Sequence, residues 1–118
     1  MISAINSALS ALQGLTTKLD STANNVANME TNGFKKTRVT LEAGGVAGGV
    51  SARVERVATP GPQVLESTPA GTVLVEKSNV ELTEELPALM MTKNSYKANL
   101  KVIQANDEML GSLLDIKG

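Results

Sequence analysis

The chain has no histidine and no cysteine among its 118 residues. The first absence removes the commonest general base and the commonest neutral metal ligand together. The second removes any disulfide framework and any thiolate metal site. Tryptophan is missing too, and Phe34 and Tyr96 are the only aromatic rings. A core so poor in large rings must be built from aliphatic seams. Neither sign of charge is in excess: 11 basic against 12 acidic residues leave a net charge of −1. That balance predicts neither a nucleic acid nor an anionic membrane as partner. No run approaches the roughly 18 apolar residues of a membrane-spanning helix, so no membrane insertion is expected. The N-terminus lacks the basic region of a secretory signal, and polar residues interrupt its apolar ones. Export, if it occurs, is therefore expected to proceed without a cleaved signal peptide.

Catalytic groups are equally scarce. Glu84 and Glu85 are adjacent, as are Asp107 and Glu108, so each pair points in divergent directions and makes a poor acid/base couple. The serines have no histidine base, and Lys93 with Ser95 does not define a dyad without geometry. No catalytic, cofactor-binding or metal-binding residue is assigned, and no enzymatic activity is expected.

What the chain does have is two long apolar stripes. Leu82, Leu86, Leu89, Tyr96, Leu100, Ile103, Leu110 and Leu114 are separated by threes, fours and their sums. That is one face of an α-helix, close to a strict heptad if Lys93 and Asp107 count as polar entries. A helix of about 30 residues spans about 45 Å. It is too long for an ordinary core helix in a chain of this size and needs a partner of similar length. Ile2, Ile5, Leu9, Leu12, Leu19, Ala23 and Val26 repeat the rhythm at the other end, with Thr16 in the missing step. The expected fold is mainly α with a small β-rich insert, its long N- and C-terminal helices forming an antiparallel coiled-coil-like pair. Ala8, Ala11 and Leu15 widen the first stripe; Met90, Val102, Ala105 and Met109 widen the second. The plain reading is an intramolecular hairpin. The sharper one is that the flanks face other subunits.

In chain order, residues 2–28 read as the first helix, with Ser3 as its N-cap. Gly14 permits a bend or a close helix contact. Asn24, Asn25 and Asn28 are poor helix formers and mark the end, and Asn32-Gly33 can turn the chain through positive φ. The asparagines are either a frayed terminus or an amide network that fixes register against a neighbour. Lys35, Lys36 and Arg38 read as solvated surface. Residues 42–50 are a glycine-rich connection without the Gly-Lys-(Ser/Thr) of a phosphate-binding loop. Alternation from Val50 to Glu55 reads as a strand, broken by Pro60-Gly61-Pro62. Gln63 to Glu66 and Thr72 to Glu76 are two further strands, giving a three-stranded meander that should lean on the helices. Asn79 or Thr83 caps the last helix, and Pro87 either delays its start or bends it.

Leu19-Asp20-Ser21-Thr22-Ala23-Asn24-Asn25-Val26-Ala27-Asn28 followed by Thr31-Asn32-Gly33-Phe34-Lys35 resembles the N-terminal signature of bacterial flagellar rod and hook proteins. Met29-Glu30 stands where small residues are more usual in that family. Ser78-Asn79-Val80-Glu81-Leu82-Thr83-Glu84-Glu85-Leu86 is similar to the start of the family's last helix. Ser95-Tyr96-Lys97-Ala98-Asn99, Val102-Ile103-Gln104 and Asp107-Glu108-Met109-Leu110 are similar to its body. Pro87 is a departure, since the family usually has another residue there.

The resemblance implies a structural subunit of the flagellar rod in the basal body, a periplasmic shaft, that polymerises through its terminal helices. It implies export by the flagellar type III apparatus, with terminal helices that order on assembly. The partners implied are other copies of the chain, other rod and hook proteins and that export apparatus. The short stretch between the helices resembles the proximal-rod type. Three segments are expected: 1–34 with the asparagine motif, 35–78 with the connection and β-rich unit, and 79–118 with the last helix. The expected subunit-interaction residues are Ile5, Leu9, Leu12, Leu19, Asn24, Asn25, Val26, Asn28, Gly33 and Phe34 in the first segment. In the last they are Leu86, Leu89, Tyr96, Asn99, Leu100, Ile103, Leu110 and Leu114. The alternative is a helical-hairpin adaptor or secreted interaction protein that binds a partner through one exposed stripe.

Overall fold

A computed structural model describes residues 2–118. Two long helices bracket a β-rich insert in a molecule measuring 80 × 26 × 18 Å. Helix α1 spans Ile2–Ala27 and helix α2 spans Leu82–Lys117. Between them lie strands β1 (Thr37–Ala43), β2 (Val50–Arg56), β3 (Gln63–Thr68) and β4 (Gly71–Glu76).

Helix α1 begins at Ile2, which places Ser3 inside its first turn rather than at its cap. The helix ends where the asparagines take over. The Asn28 N–H reaches back to the carbonyls of Asn24 and Asn25 at 3.2 and 3.1 Å, a tightened last turn. Gly33 then takes φ +70°, a left-handed value that glycine adopts at little cost, and reverses the chain.

The start of α2 departs from expectation. Its cap position is Glu81, in extended conformation and without a side-chain cap bond. Thr83 lies within the helix, and the amide of Asn79 is engaged elsewhere. Helix-start carboxylates are supplied by Glu84 and Glu85, next to the positive end of the helix dipole. Pro87 does not delay the start, since α2 is already helical from Leu82. The ring removes the N–H that would bond the Thr83 carbonyl, and Thr83 is exposed, so that carbonyl is not sealed from solvent.

The insert is not a three-stranded meander. It holds four strands in two separate antiparallel hairpins, β1–β2 and β3–β4. Val39 faces Val54 and Leu41 faces Ala52 in the first; Leu65 faces Leu74 and Val64 faces Val75 in the second. The glycine-rich connection is the loop of the first hairpin, closed by the Gly44 N–H bonding the Gly49 carbonyl at 2.9 Å. Pro60-Gly61-Pro62 separates the hairpins, because two missing N–H groups cannot carry a ladder from β2 into β3.

Only the first hairpin leans on the helices. Strands β1 and β2 both pack on α1, whereas β3 and β4 pack on no other element among the described residues. The close approach is at Gly14, where a Cβ would stand 2.9 Å from Leu41 Cδ2 and 3.7 Å from Val50 Cγ1. The space that glycine leaves is thus taken by a strand rather than by the other helix. The apolar core is small: Ala8, Leu12, Leu15 and Val39 are its buried members.

Candidate functional site

The densest polar construction lies where α1 ends, β1 begins and α2 begins. Asn25 is 2 % exposed, the most deeply buried residue with a polar side chain. Its Nδ2 donates to the Thr37 carbonyl at 2.8 Å and its Oδ1 accepts the Thr37 N–H at 2.9 Å. The amide thus reproduces both bonds that a neighbouring strand would make. The same Nδ2 stands 3.4 Å from both carboxylate oxygens of Glu85, which is itself buried. Ser21 joins the cluster through its hydroxyl, 2.6 Å from Thr37 Oγ1. One asparagine therefore ties three elements together, and every buried polar side-chain atom among the described residues has a partner.

Asn79 holds the other side. Its Oδ1 accepts the Lys36 N–H at 2.7 Å, and its Nδ2 donates to the carbonyls of Val57 and Thr59, each at 2.9 Å. Ion pairs fix the same region. Lys35 pairs with Glu76, Lys77 with Glu66, and Lys36 with Glu84 at 2.6 Å. The Lys35 hydrogen bond, helped by the Gly61 N–H at 3.0 Å, holds the Glu76 carboxyl below its ordinary pKa. Lys36 lowers that of Glu84 in the same way. The basic cluster is therefore not simply solvated surface. The Lys36 side chain is only 12 % exposed, because each lysine lies across a joint between segments; Arg38 alone stays in solvent, near Glu55.

Beside this joint runs an open groove of about 500 Å³ lined by Ser21, Thr22, Lys36, Thr37, Glu84 and Glu85. Its acids are committed to Lys36 and Asn25, which leaves no free pair to share a proton. Among the described residues no acidic group clusters in a way that would hold a metal ion. No helix is long and apolar enough to cross a membrane.

The expected helix seams sit differently from their sequence pattern. Leu12 is buried, and Ile5, Val26, Leu89, Tyr96, Asn99 and Ile103 are half-buried. Leu9, Leu19, Leu86, Leu100, Leu110 and Leu114 are exposed. The residues that α2 does bury are Glu85, Thr92 and Asn106, seven and fourteen apart. Helix α1 buries Ala8, Leu15 and Thr22 at the same interval. Leu12 and Leu15 apart, the side chains that the two helices bury are small or polar, while most leucines of the seams stay at least partly exposed. The hairpin β1–β2 occupies one flank of α1, so that flank is not available to α2. Of the motif residues, Asn24 and Gly33 are exposed, while Asn28 and Phe34 are half-buried. Asn28 donates to the Asn24 carbonyl at 2.9 Å and Asn99 to the Ser95 carbonyl at 3.0 Å, so both bond within their own segment. Gly33 donates its N–H to the Glu76 carbonyl at 2.8 Å.

Sequence reasoning missed Ser21, Thr37, Asn79 and Glu85 as partners in the joint. The first three showed no pattern beyond ordinary turn and cap chemistry. Glu85 could have been suspected, since it falls seven residues before Thr92 and twenty-one before Asn106 on one helix face.

Comparison with known proteins agrees at both ends of the chain. Residues 5–35 match the family described as flagella basal body rod protein. Residues 74–116 match the family described as flagellar basal body rod FlgEFG protein C-terminal. The flagellar basal-body rod protein FlgG of Bacillus subtilis is 36% identical over 76 residues, covering 62% of this chain and 29% of that protein. The flagellar hook protein FlgE of Rhizobium meliloti is 42% identical over 43 residues, covering 36% of this chain and 11% of that protein. The chain spans under a third of the length of either relative. The two family matches take in Asn25, Asn79 and Glu85 of the joint and nearly all of α2, while Lys36 and Thr37 lie just outside them. The chain belongs to the flagellar rod and hook protein family. Both families and both relatives are described as flagellar rod or hook proteins.

Proposed function

We propose that the chain is a subunit of the flagellar rod that polymerises through its terminal helices into the axial drive shaft. The observation that carries this reading is the outward-facing apolar surface of both helices. Leu9, Leu86, Met90, Met91, Leu100 and Leu114 are exposed, all within the family-matched segments. A lone chain gains nothing from that surface, whereas a tube of packed helices would bury it. An antiparallel, coiled-coil-like pairing of the helices is part of this reading, supported by Asn25 near the end of α1 meeting Glu85 near the start of α2. Identical or homologous subunits in non-closing contact build an open helical tube, and axially aligned helices make it stiff.

The partners on this reading are further copies of the chain and other rod and hook proteins. The flagellar export apparatus would deliver it without a cleaved signal peptide, to the periplasmic rod. The short insert favours the proximal-rod type. Segment 1–34 supplies the asparagine joint, 35–78 the two hairpins and 79–118 the long helix. The eighteen interaction residues predicted above, from Ile5 to Leu114, line the terminal helices and their joint.

Mass spectrometry of detergent-purified basal bodies tests this reading. Finding the chain there in multiple copies supports the rod assignment. Its absence from intact basal bodies would sink that assignment and favour the adaptor.

A further inference from the structure

Helix α2 outruns α1. Asn25 near the end of α1 meets Glu85 near the start of α2, and Asn106 is the last buried residue of α2. Every residue beyond Asn106 is exposed. That overhang is not polar: it carries Met109, Leu110, Leu113, Leu114 and Ile116, with Leu114 72 % and Ile116 79 % exposed. Steps of three and four put these side chains on one broad face. The rest of the overhang is acidic, with Asp107, Glu108 and Asp115 against Lys117 alone.

A complementary surface lies midway along the same molecule. Between α1 and α2 opens a groove of about 450 Å³ lined by Leu15, Leu19, Leu89, Thr92, Tyr96 and Leu100. Its rim is basic: Lys93 and Lys97 border it, and neither has an acidic partner among the described residues. The overhang cannot fold back to fill its own groove, because α2 is continuous through Gly111 to Lys117.

We propose that this groove receives the apolar, acidic overhang of a second copy of the chain. The proposal rests on the assembly reading above and gives it a specific contact. Apolar side chains enter an apolar slot, while unpaired lysines on the rim meet unpaired carboxylates on the incoming helix. Tail and groove are different patches of one chain, so the contact is heterologous. Each added copy leaves one tail and one groove free for the next.

Sedimentation velocity over a concentration series tests it with the full chain. The wild type should self-associate. The tail variant L113E/L114E and the rim variant K93E/K97E should each weaken association at least tenfold, with helical circular dichroism unchanged. All four positions are exposed, so folding is not at issue. Mixing the tail and rim variants should restore a dimer, since one supplies an intact groove and the other an intact tail. The charge-swapped tail D107K/D115K should bind the K93E/K97E groove better than the wild-type tail does. A wild type that stays monomeric to its solubility limit would overturn the proposal. So would variants that associate normally, or a mixture that does not pair. If the chain is nonetheless found in basal bodies, the rod assignment stands and only this contact is lost. Monomeric wild type whose L113E/L114E form fails to enter basal bodies would assign the tail to a different rod protein, against the second copy.

Discussion

Asn25 and Asn79 hold adjacent backbone amides of one strand from opposite sides. Asn25 Oδ1 accepts the Thr37 N–H at 2.9 Å, and Asn79 Oδ1 accepts the Lys36 N–H at 2.7 Å. Successive amides of an extended chain point opposite ways, so the two side chains flank the entry to β1 like strands on either edge. Asn25 belongs to the end of α1 and Asn79 to the approach to α2. The pair therefore fixes both helices to one point on the insert.

Asn25→Ala should accordingly destabilise the chain by about 2–3 kcal/mol, because it strands the half-buried Thr37 N–H and leaves the Thr37 carbonyl only the Ser21 hydroxyl, rather than merely removing a contact. Asn79→Ala leaves the Lys36 N–H in a less buried place and should cost about 1–2 kcal/mol. Urea unfolding measures both. The double variant should lose less than the sum, since either loss alone frees the same strand entry. Strict additivity would mean that the two grips are independent.

Acid should loosen the same joint. Lys35 holds the Glu76 carboxyl, and Lys36 that of Glu84, below the ordinary value of 4.5. A carboxyl whose pKa is depressed in the folded chain adds stability above its unfolded pKa, and that stability drains as pH falls through the folded value. Stability should therefore be flat at neutral pH and decline once pH drops below about 4.5. Both carboxylates border solvent, so each contribution is small and screened by salt. Glu76→Gln should blunt the decline, as read by thermal melts at pH 7 and pH 3. An unchanged pH profile in that variant would remove the Lys35 pair as its source.

Gly14 offers a steric test. A leucine there must displace Leu41 and Val50 from beneath α1, and overpacking of that kind costs about 1–3 kcal/mol. Alanine is different. Its Cβ presses only on the end of the Leu41 side chain, which can rotate, while helix propensity improves by about 1 kcal/mol. Gly14→Ala should thus be close to neutral and Gly14→Leu destabilising. Thermal melts of the two variants separate these outcomes, and equal losses in both would show that the strand cannot yield at all.

These residues also show what the sequence could and could not disclose. The helices were legible because long apolar stripes at steps of three and four have one good explanation. The split of the insert into two hairpins was not, since Thr37–Ala43 alternates like a strand but stands beside Lys35-Lys36 and reads as charged surface. Ion pairing then draws those lysines inward, an effect of tertiary position with no local signature. The orientation of the seams was hidden for a related reason. Periodicity defines an apolar face but does not say which neighbour covers it. Here β1–β2 takes one flank of α1 through Gly14, and α2 buries polar Thr92 and Asn106 more deeply than its leucines.

That inversion sets up the sharpest contrast between folding and assembly. Leu9 is 49 % and Leu100 46 % exposed in the lone chain, whereas Leu12 is 8 % exposed. Leu12→Asp buries a carboxylate in the small core and should unfold the chain outright. Leu9→Asp and Leu100→Asp leave the new charge in reach of water and should change stability by less than about 1 kcal/mol. If the outward leucines are assembly surface, both should still block incorporation into basal bodies, because the carboxylate would then have to be buried between subunits. Circular dichroism of the purified variants, paired with their recovery in isolated basal bodies, separates the two effects. Folded, stable Leu9→Asp and Leu100→Asp chains that incorporate at wild-type levels would show that these leucines face solvent in the rod, and the helix-seam route to assembly would have to be abandoned.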